Sequence, residues 1–221
     1  SQPKLFSIEQ QRPVSEDGSI IEPLCEYDVR LMSIGLLVDT KQAMVWRGPM
    51  ATQALNQLLQ QTHWGELDVL LVDMPPGTGD IQLTMAQRVA LNGAIIVTTP
   101  QEMALVDARR GIEMFQKVNI PILGVVENMS YFECSSCETK HDIFGSGGGV
   151  ALAEQYSLPL LAQLPLLANV QQLSDAGEPI TVREPKSEIA QQFQQSATTL
   201  MSSLKASINR PVGPEIAISN D

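Results

Sequence analysis

Short apolar segments that alternate with helical segments constrain the fold of this chain more than any other feature. Each apolar segment has the length of a β-strand and is hydrophobic on both faces, as the strands of a buried parallel sheet are. We therefore predict four buried strands and one further candidate strand that precedes them. They cover Leu67–Val72, Gly93–Thr98, Ile120–Val126 and Leu160–Leu164, with Leu31–Val38 as the additional candidate.

Segments with a helical spacing of apolar residues lie between and after these strands. In one of them, Leu105, Ala108, Ile112 and Phe115 recur at the 3.6-residue period of a helix that packs one face on a core. Strands alternating with helices predict β-α-β units, and hence a three-layer, doubly wound, mostly parallel α/β sheet. The predicted helices cover Thr52–Gln61, Leu105–Val118, Val150–Tyr156 and Ser187–Ile208.

Length and composition fit one large α/β domain. The chain has 221 residues, of which 43% are hydrophobic, and this is ample for a core. We predict that residues 1–210 form this domain. Residues 211–221 contain two prolines and a glycine, and we predict that they form a disordered tail.

The charge and the cysteine content exclude several classes of protein. A net charge of −11 repels phosphate backbones, so we predict no nucleic-acid partner. No apolar run reaches the length of a membrane helix, no signal peptide is visible, and three cysteines do not form a secreted disulfide framework. These features predict a cytoplasmic protein, or one of an organelle matrix, without membrane association.

A Pro- and Gly-rich turn follows the predicted strand Leu67–Val72 and begins with Asp73. Ligand sites of parallel sheets lie at the carboxyl ends of strands, and an aspartate there can hold Mg²⁺ or its water shell. Gly77 lets its backbone N–H approach a terminal phosphate, and Asp80 could cap the next helix. The string from Asp73 to Asp80 therefore predicts a nucleotide switch, although an ordinary strand-to-helix turn is the alternative.

A phosphate loop of the form G-x-x-x-x-G-K-[S/T] would normally accompany such a switch, but no lysine of this chain follows a glycine. The glycine-rich stretch Gly145–Gly149 lacks a lysine and lies far downstream. We interpret it as a turn that opens the helix over Val150–Tyr156.

Two cysteines, Cys134 and Cys137, form a C-x-x-C loop shortly after the predicted strand Ile120–Val126. A [4Fe–4S] cluster or a closed zinc site usually needs four ligands, which a two-fold homodimer of such loops would supply. Three alternatives stay open at this point. The pair could bind zinc together with His141, act as a redox dithiol, or be inert.

These motifs together resemble the Mrp/ApbC family of iron–sulfur carrier ATPases, a branch of the MinD/ParA-like P-loop NTPases. The resemblance extends from about Gln11 to the final long helix, and MinD and ParA proteins lack the cysteine loop. The strings that carry it are Met44–Met50, Asp73–Asp80, Val97–Pro100, Gly124–Ser130, Cys134-x-x-Cys137 and Ile143–Gly145.

The resemblance implies roles for individual residues. Asp73 would lie near Mg²⁺ and Gly77 would sense the γ-phosphate of ATP, while Asn128 would contact the adenine and Pro165 would line the base pocket. The two cysteines, Cys134 and Cys137, would bind a [4Fe–4S] cluster shared across a homodimer. ATP hydrolysis would control the transfer of that cluster to apo-proteins. The resemblance assigns no role to Arg47.

The family's phosphate loop, with its two lysines and its central strand, would lie upstream of the matched region. We therefore expect residues 1–221 alone to form a partial P-loop NTPase domain that binds ATP poorly, hydrolyses none and tends to aggregate. Two other functions remain as alternatives. One is a MinD/ParA-like regulatory ATPase, and the other is a non-hydrolysing scaffold that keeps only the metal site.

Overall fold

The computed structural model describes residues 2–15, 18–37, 48–74, 77, 82–83, 85, 89–134 and 136–208. Its strands are β1 (Leu24–Glu26), β2 (Val29–Leu31), β3 (Ala94–Thr98), β4 (Ile122–Glu133), β5 (Lys140–His141) and β6 (Leu160–Leu166). Its helices are α1 (Gln2–Leu5), α2 (Ile34–Leu37), α3 (Gly48–Leu59), α4 (Glu102–Lys117), α5 (Gly148–Gln155), α6 (Ala168–Ala176), α7 (Ile180–Arg183) and α8 (Glu188–Ile208).

Three parallel strands, in the order β3-β4-β6, form the main sheet. Strand β4 is the longest of them and continues beyond the end of β3. The chain then turns and returns as the short strand β5, which pairs with the end of β4 in the antiparallel direction. Phe132 of β4 pairs with His141 on one side and with Leu166 on the other. Strand β5 therefore lies on the same edge of β4 as β3 does.

Helices cover both faces of this sheet, as predicted for a doubly wound fold. On one face α4 and α5 pack on β3 and β4 around the fully buried Ile112, Val125 and Leu152. On the other face α7 and α8 pack on β6 through Ile180 and Ile189. The side chains of consecutive β4 residues point to opposite faces, and each face meets its own helical layer.

The helix boundaries agree with the hydrophobic periods of the sequence. The predicted inner face of α4 is confirmed, since Leu105, Ala108, Ile112 and Phe115 are all buried. Helix α8 begins after Ser187, whose hydroxyl accepts a hydrogen bond from the Ala190 backbone N–H at 3.3 Å, an N-terminal cap. Helices α3 and α5 also occur where they were predicted, within a few residues.

Two strand predictions were wrong. Leu31 ends β2, whose partner among the described strands is β1, and the chain then enters α2, where the Leu36 N–H donates to the Ser33 carbonyl. Leu67–Val72 forms no strand, and Leu71 is 76% exposed. In the described part of the chain no neighbouring strand offers this segment a hydrogen-bonding edge, and without such an edge hydrophobic residues alone do not make a strand.

Within the described ranges, no helix combines the length and the apolar character needed to cross a membrane. Residues 209–221 lie outside the described residues, so the prediction of a disordered tail stays a prediction.

Candidate functional site

The predicted cysteine pair lies in the loop of the β4–β5 hairpin. The backbone N–H of Cys134 donates to the carbonyl of Thr139 at 3.0 Å, and the N–H of Glu138 donates to the carbonyl of Cys134 at 2.8 Å. Glu138 has a left-handed backbone with φ 57°, which lets the chain turn sharply enough to close the loop. The hairpin thus presents both sulfur atoms from one short, hydrogen-bonded turn.

Both cysteines are free thiols, with Cys134 half-buried and Cys137 exposed. The Sγ atom of Cys137 lies 3.2 Å from the Oγ1 atom of Thr139. This hydrogen bond, a second one with the Thr139 backbone and a third with the Cys134 side chain lower the pKa of Cys137. A lowered pKa favours the thiolate, which is the form of cysteine that binds metals and attacks electrophiles.

His141 does not complete a three-ligand site with the cysteines. It belongs to β5, where its ring lies 6.5 Å from the ring of Phe132. Among the described residues, no group of three His, Cys, Asp or Glu side chains is arranged to hold a metal ion. The donor set that this loop offers is therefore two thiols, and the structure does not support the zinc alternative that includes His141.

Asn128 and Pro165 lie together at the carboxyl end of the parallel strands. Asn128 pairs with Leu164, the residue before Pro165, and the next pair along β6 joins Phe132 to Leu166. Several β4 residues thus bulge out opposite Pro165. A proline, which has no N–H to donate, is tolerated in a strand beside such a bulge.

The bulge has its own local hydrogen bonds. The Oδ1 atom of Asn128 accepts the backbone N–H of Met129 at 2.9 Å, and Met129 has a left-handed φ of 55°. The buried hydroxyl of Ser130 donates to the carbonyl of Glu127 at 2.9 Å. These contacts hold the Asn128 amide just beyond the point where β3 ends beside Glu127. They also direct the remainder of β4 towards the cysteine loop.

Glu127, to which no sequence pattern assigned a role, is buried beside Asn128 with 1% of its surface exposed. Its carboxylate accepts hydrogen bonds from the backbone N–H of Gly149, in the first turn of α5, and from Nε2 of Gln163 on β6 at 2.9 Å. The carboxylate also lies at the positive end of the α5 dipole. The sequence feature that could have identified Glu127 is an acidic residue that directly follows the apolar run of a strand.

The glycine-rich stretch Gly145–Gly149 leads into α5 and allows the contact between its first turn and Glu127. This agrees with its interpretation as a turn that opens the helix. Gly147 precedes the helix with a left-handed φ of 70°. A Cβ atom on Gly149 would lie 2.7 Å from the Cβ atom of Glu127. Only glycine therefore allows the α5 backbone to approach the carboxylate this closely.

The structure describes both predicted switch residues, Asp73 and Gly77. Asp73 is exposed, and its Oδ2 atom accepts a hydrogen bond from Nε2 of Gln2 at 2.7 Å. Gly77 has a left-handed φ of 102°, which suits glycine. No hydrogen bond or ion pair of the described residues joins either of them to Asn128 or Pro165. Asp80 and Arg47 fall outside the described residues.

Sequence and structure comparisons agree on the family. The family model described as "ParA: NUBPL iron-transfer P-loop NTPase" matches residues 1–201. The chain is 50% identical to an iron-sulfur cluster carrier protein of Pseudomonas fragi over 90% of the chain and 70% of that protein. It is 48% identical to the carrier of the same name in Escherichia coli strain K12, over 91% of the chain and 55% of that protein. The chain thus spans about half the length of the latter relative.

A mouse relative and a solved structure extend this result. The chain is 42% identical to the mouse iron-sulfur cluster transfer protein NUBPL, over 93% of the chain and 64% of that protein. A nucleotide-binding protein from Archaeoglobus fulgidus, solved in complex with ADP, superposes with a TM-score of 0.68 and 34% identity. That match covers 84% of this chain and 71% of the archaeal chain. The chain therefore belongs to the ParA family of iron-transfer P-loop NTPases to which NUBPL and the bacterial iron–sulfur cluster carriers belong.

Proposed function

We propose that this protein is an iron–sulfur cluster carrier that receives a [4Fe–4S] cluster as cargo on Cys134 and Cys137 and passes it to apo-proteins. The observation that carries the proposal is the pair of reduced thiols at the tip of the β4–β5 hairpin. Cys137 is exposed there and its pKa is lowered, so an incoming cluster can reach a sulfur atom that is already inclined to lose its proton.

The number of thiols in the loop favours a shared site. A [4Fe–4S] cluster takes four cysteine ligands, and this loop offers two. A homodimer with a two-fold axis through the cluster would bring the same loop in twice and complete the set. The hairpin lies at an end of the sheet and its loop is mostly exposed, so a second copy could approach it without disturbing either helical layer.

Mg²⁺ and ATP are the proposed ligands of the carboxyl end of the sheet. Asp73 would hold the metal, the backbone N–H of Gly77 would meet the γ-phosphate, and Asn128 and Pro165 would contact the adenine. The archaeal relative of known structure was solved with ADP, which supports a nucleotide site in this fold. As an ATPase of this family, the protein would use hydrolysis to time the loading or release of the cluster.

Strand β4 offers a physical route between the two proposed sites. It carries Asn128 at the carboxyl end of the parallel sheet and then continues to the residue before Cys134. A shift of Asn128 on nucleotide binding would therefore act on the hairpin through one continuous backbone. The second candidate is a non-hydrolysing scaffold that keeps only the metal site, because the cysteine loop is closed by hydrogen bonds between its own residues, Cys134, Glu138 and Thr139.

Anaerobic reconstitution with iron and sulfide tests the cargo site directly. We expect broad visible absorption and about four iron atoms per two chains. The double variant Cys134→Ala, Cys137→Ala should lose both, and Cys25→Ala, which removes the distant exposed cysteine of β1, should keep both. A colourless wild-type chain that holds zinc instead would contradict the proposed cargo. Cluster transfer that proceeds equally with and without Mg-ATP would favour the scaffold over the ATPase carrier.

A further inference from the structure

Thr139 contacts both cysteines of the loop, Cys134 and Cys137. Its carbonyl oxygen accepts the backbone N–H of Cys134 at 3.0 Å, and its Oγ1 atom lies 3.2 Å from the Sγ atom of Cys137. These two contacts, and the further hydrogen bond between the Thr139 backbone and Cys137, come from one residue. The carbonyl contact and the hydrogen bond between the Thr139 backbone and Cys137 depend only on the backbone, so a substitution of the side chain removes the Oγ1 contact and leaves the other two in place.

The direction of the side-chain hydrogen bond depends on the state of the sulfur. While Cys137 is a thiol, its S–H can donate to the threonine oxygen. Once the sulfur is a thiolate bound to a metal it has no proton to donate, and the hydrogen of this side-chain bond then comes from the Thr139 O–H. A hydroxyl both donates and accepts hydrogen bonds. The Thr139 oxygen can therefore accept a hydrogen bond from the Cys137 thiol and donate one to the thiolate from the same position.

We propose that the Thr139 hydroxyl is a positioning and tuning residue of the cargo site, donating a hydrogen bond to the metal-bound sulfur of Cys137. This inference rests on the proposed function. Hydrogen bonds to cluster sulfurs withdraw electron density and raise the reduction potential. The bond also holds the sulfur of an exposed loop residue in place, and this slows its dissociation from the metal. Thr139 thereby determines how firmly the loop keeps its cargo.

The test compares four chains reconstituted with a [4Fe–4S] cluster. Thr139→Val removes the hydroxyl but keeps the side-chain shape, and Thr139→Ser keeps the hydroxyl. Ser136→Ala is the matched control, because it removes a hydroxyl from the same loop. We measure the midpoint potential of the bound cluster and its rate of loss to an iron chelator.

Thr139→Val should shift the potential to more negative values and speed cluster loss by about threefold to tenfold, the range that one hydrogen bond corresponds to. The two other variants should match the wild-type chain. Equal potentials and equal loss rates in Thr139→Val and wild type would overturn the inference and leave the carrier proposal intact.

A second measurement separates this inference from the proposed function. Cd²⁺ is titrated into the four apo chains and followed by the absorption of its thiolate bonds. Thr139→Val should bind Cd²⁺ about threefold to tenfold more weakly than wild type, whereas Thr139→Ser and Ser136→Ala should bind it equally well. A wild-type chain that takes up no cluster would contradict the carrier proposal. In that case the Cd²⁺ titration alone decides on Thr139, and equal affinities would overturn its role.

Discussion

The buried carboxylate of Glu127 accepts the backbone N–H of Gly149 and so joins the first turn of α5 to strand β4. The same carboxylate accepts Nε2 of Gln163 at 2.9 Å, which joins β4 to β6. Glu127 also directly precedes Asn128, the residue proposed to contact the adenine. Three elements that meet at the carboxyl end of the sheet are thus held by one side chain.

Replacing Glu127 should be costly for stability. Glu127→Ala would leave the Gly149 N–H and the Gln163 amide without their acceptor and would open a cavity. We expect a loss of about 2–4 kcal/mol in the free energy of unfolding, measured by urea denaturation. Glu154→Gln changes an exposed glutamate of α5 and should stay within about 0.5 kcal/mol of wild type. Equal midpoints for Glu127→Ala and wild type would show that the carboxylate has no structural role.

Two glycine substitutions should have opposite effects. Gly149→Ala places a Cβ atom 2.7 Å from that of Glu127, so it should destabilise the protein by about 1–3 kcal/mol. Gly111→Ala lies within α4, where a Cβ atom would meet its nearest neighbour, Ile96, at 4.0 Å, and it should stabilise by about 0.5–1 kcal/mol. Thermal unfolding followed by circular dichroism measures both. A Gly149→Ala variant whose melting temperature is no lower than that of wild type would show that α5 does not approach Glu127 this closely.

The reactivity of Cys137 should depend on Thr139. Because hydrogen bonds from Thr139 are the largest causes of the lowered Cys137 pKa, Thr139→Val should raise that pKa. Fewer Cys137 side chains are then thiolate at a given pH, and the alkylation profile moves to higher pH. Alkylation by iodoacetamide, quantified for each cysteine by mass spectrometry across a pH series, measures the shift. An unchanged profile for Cys137 would contradict the hydrogen bond, and Cys25 serves as the internal control.

Exposed and buried apolar residues should respond differently to substitution. Leu71 is 76% exposed, so Leu71→Ser should change the free energy of unfolding by at most about 0.5 kcal/mol while reducing self-association. Ile112 is fully buried, and Ile112→Ala should cost about 2–5 kcal/mol. Sedimentation velocity measures the association and urea denaturation measures the stability. A large loss of stability in Leu71→Ser would show that this segment is packed.

The sequence predicted those parts of the fold that depend on local pattern. Strands β3 and β6 occur where continuous apolar runs predicted them, and helices α3, α4, α5 and α8 occur where the helical period predicted them, because both signals lie in consecutive residues. Strand β4 begins within the predicted Ile120–Val126 but continues to Glu133, beyond the apolar run. The C-x-x-C string likewise indicated the loop that carries Cys134 and Cys137. Asn128 and Pro165, by contrast, were implied by the resemblance to the Mrp/ApbC family and not by a local pattern, and the structure places them on neighbouring strands at the same bulge of β4.

Tertiary structure decided what depends on neighbours distant in sequence. Leu67–Val72 has the composition of a strand, but strand formation requires a paired edge, which composition does not encode. The burial of Glu127 depends on α5 and β6, whose residues come more than twenty positions later. The sequence by itself thus determined which segments could be helices or strands and which residue types could bind a metal. Only the folded chain decided which strands pair and which polar side chains form hydrogen bonds. The reason is that a hydrogen bond forms between groups that lie close together in three dimensions, however far apart they are in the sequence.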